Sequence, residues 1–303
     1  RSGRGIVGED TPYGFSCGAG YKPWLATDVL LGIGSRLELQ YLRWMKIPEG
    51  LKVIRIDIDP TEMFRLKPDV GIVTDAKLGA RALVAALSAA LAKRPSREEE
   101  FKALKARFKR DIRTVQPQMA YLDVIRKVLP RDGFFVEEIS QVGFAARFGF
   151  PVYEPRTFVT GGYQDNVGFG FMTALGVKIA NPDKPVVSVT GDGGFMFGVQ
   201  ELATAVKYDI NLVTIVFNNA SYGNVLRDQR NVYKGHEIGA SLTNPDFVRL
   251  AESFGATAYL AKTPAELRTA LEKGFALSGP VLIEVPSEPG SEASPWPFLH
   301  PNA

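Results

Sequence analysis

Apolar residues along this chain alternate between two kinds of spacing. Short, nearly unbroken apolar runs at 27–33, 52–57, 134–136, 185–190, 212–217 and 280–285 have the length of strands, and most end at glycine, asparagine or aspartate. Between them, apolar positions recur every three or four residues, which predicts helices at 83–91, 119–128, 199–208 and 245–254. A glycine-rich stretch, Gly161-Gly162 through Gly168-Phe169-Gly170, opens a further helix reaching about Ala180. Strands alternating with helices imply an α/β fold with parallel sheets, and runs such as 27–33 read as strands buried on both faces.

One helix stands apart. Phe101, Leu104, Phe108 and Ile112 form a single apolar stripe within a basic cluster at 93–113, into which Glu98, Glu99, Glu100 and Asp111 are mixed. This pattern fits a solvated amphipathic linker better than a nucleic-acid patch. It divides the chain into a first α/β region (1–92), a linker (93–116) and a second α/β region (117–303). The tail from Ser287, rich in Pro, Gly and Ser, is expected to be extended, and no internal repeat is present.

The 303 residues, 45% hydrophobic and 23% charged, suffice for two domains with full cores. A net charge of +3 gives no independent reason to invoke nucleic acid. No apolar run is long enough to span a bilayer, and Arg1-Ser2-Gly3-Arg4 is not followed by the apolar core of a secretory signal. Cys17 is the only cysteine, so no intrachain disulfide is possible and a reducing cytoplasm is expected.

The informative chemistry lies in two strand ends, Gly191-Asp192-Gly193 and Asn218-Asn219, joined by one helix. A right-handed crossover puts both at the carboxyl edge of a sheet, where ligands of open parallel sheets bind. If the strands are neighbours, Asp192 can offer a carboxylate oxygen, Asn219 an amide oxygen and the backbone near Ser221 a carbonyl to one Mg2+. Two diphosphate oxygens and a water would complete an octahedron. Gly191, Gly193 and Gly194 let the backbone approach a phosphate, and the helix after them adds its positive end. A P-loop needs Gly-Lys-Ser/Thr where Gly193-Gly194-Phe195 stands, and a dinucleotide fingerprint needs glycine where Met196 stands. In the first region Gly32-x-Gly34 has Leu37 in place of the third glycine, which favours a plain strand-to-helix turn.

The Gly191-Asp192-Gly193 triplet, followed 27 positions beyond Asp192 by the second residue of Asn218-Asn219, resembles the signature of thiamine-diphosphate enzymes. The stretches from Thr160 to Gly170 and from Val199 to Ala205 look like the acetolactate synthase-like branch. Gly32-x-Gly34-Ser35-Arg36 and Ile56-Asp57-Ile58-Asp59-Pro60 resemble that branch's central domain. The resemblance implies two doubly wound, Rossmann-like domains: a partial central domain, and a domain binding thiamine diphosphate and Mg2+. It implies that Val167 props the cofactor's two rings in a V shape and that the Asp165 carbonyl accepts a hydrogen bond from its amino group. It places Ser140, Gln141 and Val142 in an outer diphosphate cradle, and Ser221, Tyr222 and Gly223 among the residues that bind the cofactor, Ser221 also at the metal.

The same resemblance implies a separate pyrimidine-binding domain carrying an activating glutamate, and sites shared between subunits of a homodimer or homotetramer. No such domain is recognisable here, so the chain reads as a C-terminal portion, inactive alone. His236-Glu237-Ile238-Gly239-Ala240 resembles the string around that glutamate. It lies only 17 positions beyond Asn219 with no β-α context, and so reads as structural or flap, and His300 reads as exposed and inert. Relative to acetolactate synthases proper, Tyr222-Gly223-Asn224 lacks the methionine, and Arg227-Asp228-Gln229 replaces a tryptophan string by a carboxylate-bearing one. Ser35-Arg36-Leu37-Glu38-Leu39 lacks the acidic pair of flavin-binding members. The expected function is that of a 2-oxo-acid decarboxylase or carboligase without flavin, with Arg227 either meeting an acidic substrate group or lying solvated in a flap. A nicotinamide or flavin oxidoreductase, and a remnant that only binds, remain the alternatives.

Overall fold

A computed structural model describes residues 3–44, 46–91, 94–162 and 164–299. The chain forms two compact units, one of residues 17–105 with 296–299 and one of residues 3–16 with 106–295.

The smaller unit runs α1 (Cys17–Trp24), β1 (Val29–Ile33), a π-helical turn (Leu39–Arg43), β2 (Lys52–Asp57), α2 (Glu62–Arg65), β3 (Val70–Val73) and α3 (Ala76–Ala90). Its three strands are parallel in the order β1-β2-β3. The α3 helix starts earlier than the apolar spacing predicts, because the Asp75 side chain caps it by accepting the Lys77 and Leu78 N–H groups. Leu30 packs against a cluster of Tyr21, Trp24 and Trp44. Val29, Leu31 and Ile33 alternate onto the other face of β1 and are 49%, 41% and 39% exposed. The strand expected to be buried on both faces is therefore covered on one. Leu37 occupies the space above Gly32, its side chain about 3.0 Å from where a Cβ would stand, so the Gly32-x-Gly34 turn is filled by the chain itself.

The α4 helix (Glu98–Ile112) has its predicted stripe half-buried to buried and most of its charged residues exposed, Glu98 and Lys105 being half-buried. The larger unit continues with α5 (Gln118–Val128), β4 (Phe134–Glu137), α6 (Gln141–Gly149), β5 (Phe158–Val159), α7 (Phe169–Ala180), β6 (Val186–Gly191) and the single turn α8 (Asp192–Phe195). It is completed by α9 (Leu202–Lys207), β7 (Val213–Asn218), α10 (Gly223–Asn231), α11 (Phe247–Ser253), β8 (Thr257–Leu260), α12 (Pro264–Phe275) and β9 (Val281–Pro286). Six parallel strands lie in the order β5-β4-β6-β7-β9-β8. The expected α/β class with parallel sheets is what the chain adopts. In β6, β7 and β9 the first five residues are buried, the near-continuous burial that parallel strands covered by helices require. The core beneath them is built from Val136, Phe171, Phe195, Leu202, Val216 and Phe247, among others.

Three expectations need correction. Residues 3–16 belong with the larger unit, not with the first region. Arg4 pairs with Glu9 at 2.8 Å, donates to the Phe150 carbonyl and lies over the Phe158 ring, while Asp10 pairs with Arg131 at 2.6 Å. The 191–194 loop is a helical turn from Asp192 onward. The tail is not extended throughout 287–293, since it turns where Ser291 N–H bonds back to the Glu288 carbonyl at 3.0 Å with Gly290 at φ +79, and it is docked through Ser287 N–H on the Asn218 carbonyl and Ala293 N–H on that of Gln116. Lys93 and His300 lie outside the described residues.

Candidate active site

The strand order of the larger sheet reverses at β4, whose successor β5 lies on one side while β6 lies on the other. Ligands of open parallel sheets sit at such a switch point, outside the carboxyl ends. A cavity of ≈ 170 Å³ is found there. The segments following β4, β5, β6 and β7 line it, together with Glu292 from the tail. The parallel register sets Gly191 opposite Phe217, so Asp192 and Asn218-Asn219 leave adjacent strands at one edge.

Of the residues singled out in the sequence, Ser140, Gln141, Val167, Gly191, Asp192, Gly193, Gly194, Asn219, Ser221, Tyr222 and Gly223 all line this cavity. Val142 and Asp165 do not. Val142 is buried within α6. The Asp165 carboxylate is held by both terminal nitrogens of Arg147 at 2.6 Å, and the same guanidinium grips the buried Glu137 at 2.9 Å. Asp165 has φ +51, a left-handed conformation that this pairing holds in place.

Asp192 is buried, and burial raises its carboxyl above the ordinary range despite hydrogen bonds from Asn244 and backbone amides. Asn244 donates to Asp192 Oδ2 at 2.7 Å and to Asn218 Oδ1 at 2.9 Å, tying the two strand ends together. Asn218 also donates to Glu284 at 2.8 Å, so the first asparagine of the pair is committed to structure. Asn219 Oδ1 accepts from the Ser221 N–H and hydroxyl, each at 3.1 Å, while its Nδ2 donates to Glu292 at 2.8 Å. The segment behind Asn219 is braced from the flap, where Ala240 accepts from Tyr222 N–H and Leu242 donates to the Ala220 carbonyl, both at 2.8 Å.

Ser140 caps α6, its hydroxyl accepting from Gly143 N–H at 3.0 Å. Beneath the cavity lies Glu138, 1% exposed, which accepts from the Gly168 and Gly170 N–H groups and the Thr190 hydroxyl. Burial pushes its carboxyl up as well. One side chain thus joins the ends of β4 and β6 to the start of α7. Glycine is required at 194 because a Cβ there would stand 2.6 Å from Glu138 Cδ, and at 193 because one would stand 2.5 Å from the Tyr222 ring.

Sequence reasoning missed Glu138, Asn244 and Glu292. Glu138 lies two positions beyond a predicted strand, a usable signal; Asn244 and Glu292 carry none, because they arrive from a flap and a tail. Arg227 is not solvated in a flap as one expectation had it. It sits on α10, bonded to Gln141 and, at 3.1 Å, to the Glu292 carbonyl, with a buried Nη1 that has no partner. Glu237 is not part of the cavity lining and pairs with Arg230 at 2.6 Å.

The donor set suits Mg2+ better than a softer metal. Among the described residues no group of three His, Cys, Asp or Glu exists to cage an ion. The buried Asp192 carboxylate among amide, hydroxyl and carbonyl oxygens, with the Glu292 carboxylate turned to the Asn219 amide nitrogen, is an environment in which Mg2+ relies on ligand phosphates to complete its shell.

Residues 138–285 match the family model "Thiamine pyrophosphate enzyme, C-terminal TPP binding domain". A probable acetolactate synthase large subunit of Methanocaldococcus jannaschii is 35% identical over 88% of this chain and 47% of its own length. A glyoxylate carboligase of Escherichia coli O157:H7 is 30% identical over 93% of this chain and 51% of its own. The fold is shared with the Rhodococcus jostii RHA1 thiamine diphosphate-dependent 4-hydroxybenzoylformate decarboxylase, at TM-score 0.70 and 21% identity over 88% of this chain and 50% of that one. The chain spans about half the length of the curated relatives it matches. It belongs to the thiamine-diphosphate-dependent enzymes, on the acetolactate synthase-like branch.

Proposed function

We propose that this chain binds thiamine diphosphate through Mg2+ at the carboxyl edge of the six-stranded sheet, and that the whole protein is a flavin-independent 2-oxo-acid decarboxylase or carboligase. The observation that carries the reading is the meeting of Asp192 and Asn219 in one cavity at the ends of adjacent parallel strands. The bound cofactor would supply a carbon nucleophile and electron sink beside a carbonyl. The chain's residues hold and orient it. Asp192 offers the one carboxylate, Asn219 Oδ1 and the Ser221 carbonyl further oxygens, and Gly193 and Gly194 a close backbone approach. Val167 forms an apolar wall of the same cavity.

Titration calorimetry with Mg2+ and thiamine diphosphate, with and without EDTA, tests the binding. Asp192→Ala removes the only carboxylate proposed as a ligand and should cost several kcal/mol, on the order expected for a hard cation. Unchanged affinity would refute the site. Protein with any further domains restored, assayed against pyruvate and other 2-oxo acids, tests the reaction. Flavin-stimulated formation of acetolactate from two pyruvates would return it to the biosynthetic synthases. A homo-oligomer in the cytoplasm completes the proposal, supported by the resemblance, by the single cysteine and by the lack, among the described residues, of a helix able to cross a membrane.

A further inference from the structure

The tail contributes a carboxylate that the reading above does not use. Glu292 is 9% exposed, lines the cavity, and accepts from Asn219 Nδ2 at 2.8 Å and from the Ser287 hydroxyl at 3.4 Å. Its turn is anchored on several sides. Ser287 N–H bonds to the Asn218 carbonyl, Arg227 to the Glu292 carbonyl, and Gln118 Nε2 to the Ala293 carbonyl at 2.7 Å. Arg227 also bonds to Gln141, another cavity residue, so the tail is stitched to the site from two directions.

An asparagine amide is a near-symmetric fork, with an acceptor oxygen and a donor nitrogen that exchange places on rotation. Only the oxygen can ligate a cation. An ionised carboxylate has no proton to donate and therefore fixes which end of the fork faces it. The Glu292 carboxylate engages Nδ2 and so directs Oδ1 the other way, toward Ser221. One lone pair of Oδ1 is taken by the Ser221 N–H, and the other by a hydroxyl that can rotate away when a cation arrives.

We propose that Glu292 is a positioning residue for the metal site: it locks the amide of Asn219 so that oxygen, not nitrogen, is presented to the cation bound with the diphosphate. The inference rests on the Mg2+ and thiamine diphosphate reading above and assigns to the tail a role in it. Partners behind a metal ligand typically govern affinity by about 10–100-fold.

The test is a double-mutant cycle read by Mg2+ titration of the full chain at fixed thiamine diphosphate, with thermal unfolding monitored alongside. Glu292→Gln keeps the shape and exchanges an obligate acceptor for a fork of its own. In the native background it should weaken Mg2+ binding about tenfold. In an Asn219→Asp background the same change should strengthen binding, because it removes a facing carboxylate and supplies a donor to the new one. Reversal of sign between backgrounds supports the proposal. A role confined to tying down the tail would give the same effect in both, and such additivity overturns it. Absence of Mg2+-dependent binding in the unaltered chain sinks the parent reading. Binding that Asp192→Ala abolishes but Glu292→Gln leaves unchanged sinks the positioning role alone.

Discussion

Gly194→Ala perturbs the floor of the site through a single methyl group. A Cβ at 194 stands 2.6 Å from Glu138 Cδ, and the carboxyl cannot swing away without abandoning the Gly168 and Gly170 amides and the Thr190 hydroxyl. Overpacking of a closed interior costs about 1–3 kcal/mol. Releasing buried donors from an ionisable acceptor adds about 1.5–3 kcal/mol. A loss of about 3 kcal/mol or more is expected, which in a unit of this size lowers Tm by roughly 6–12 °C. Gly176→Ala is the matched control, since it is exposed on α7 with nothing within 4 Å of the new Cβ, and it should stabilise by about 0.5–1 kcal/mol. Calorimetry is the suitable assay, because Trp24, Trp44 and Trp296 all lie in the smaller unit and fluorescence would report there. Equal melting temperatures for Gly194→Ala and the unaltered protein would refute the account of Glu138 as a fixed strut.

Glu62 provides a pH test in the smaller unit. Hydrogen bonds from Arg65 and Arg55 lower its pKa to about 2, so its stabilisation is full above the ordinary carboxylate pKa and is lost as pH falls from about 4.5 toward 2. Arg65 and Arg36 are 39% and 58% exposed, so screening holds the contribution to at most about 2 kcal/mol. Denaturant unfolding followed by tryptophan fluorescence should show Glu62→Gln less stable at pH 7 and the gap closing near pH 2; a pH-independent gap would exclude the linkage. Glu237→Gln, which breaks only an exposed pair with Arg230, should leave Mg2+ and thiamine diphosphate binding unchanged, and a weakened titration would bring the flap glutamate into the site.

The α/β alternation and six of the nine strands among the described residues were legible because parallel strands are almost continuously apolar. β3, β5 and β8 were not. They are two to four residues long and none is fully buried along its length, so neither an apolar run nor a clean alternation marks them. The α12 helix was overlooked although Thr263 caps it by accepting from Glu266 N–H, a start signal written in Thr263-Pro264-Ala265-Glu266. The apolar face of β1 misled in the opposite direction. Val29, Leu31 and Ile33 read as core, but burial depends on what covers a strand, and local sequence does not record that.

The site divides along the same line. Asp192, Asn219 and the glycines at the end of β6 and in α8 are visible because the backbone must come close to whatever binds there, and that demand is met within a few consecutive residues. Their supports come from far along the chain: Glu138 reaches Thr190 across 52 positions, Asn244 reaches Asp192 across 52, and Glu292 reaches Asn219 across 73. None of these spacings is dictated by helix or strand geometry, so no local pattern could reveal the contacts, and only the place of Glu138 just beyond a predicted strand marked one of the residues. Gly194 shows what a visible motif conceals. Read alone it permits phosphate to approach the backbone; in the structure it also makes room for the buried carboxyl of Glu138. A glycine answering two demands tolerates substitution less than either demand implies, so a loss of ligand binding in Gly194→Ala need not mean that residue 194 touches the ligand. The thermal shift separates the two contributions, since a purely ligand-facing glycine would lose affinity with its melting temperature intact.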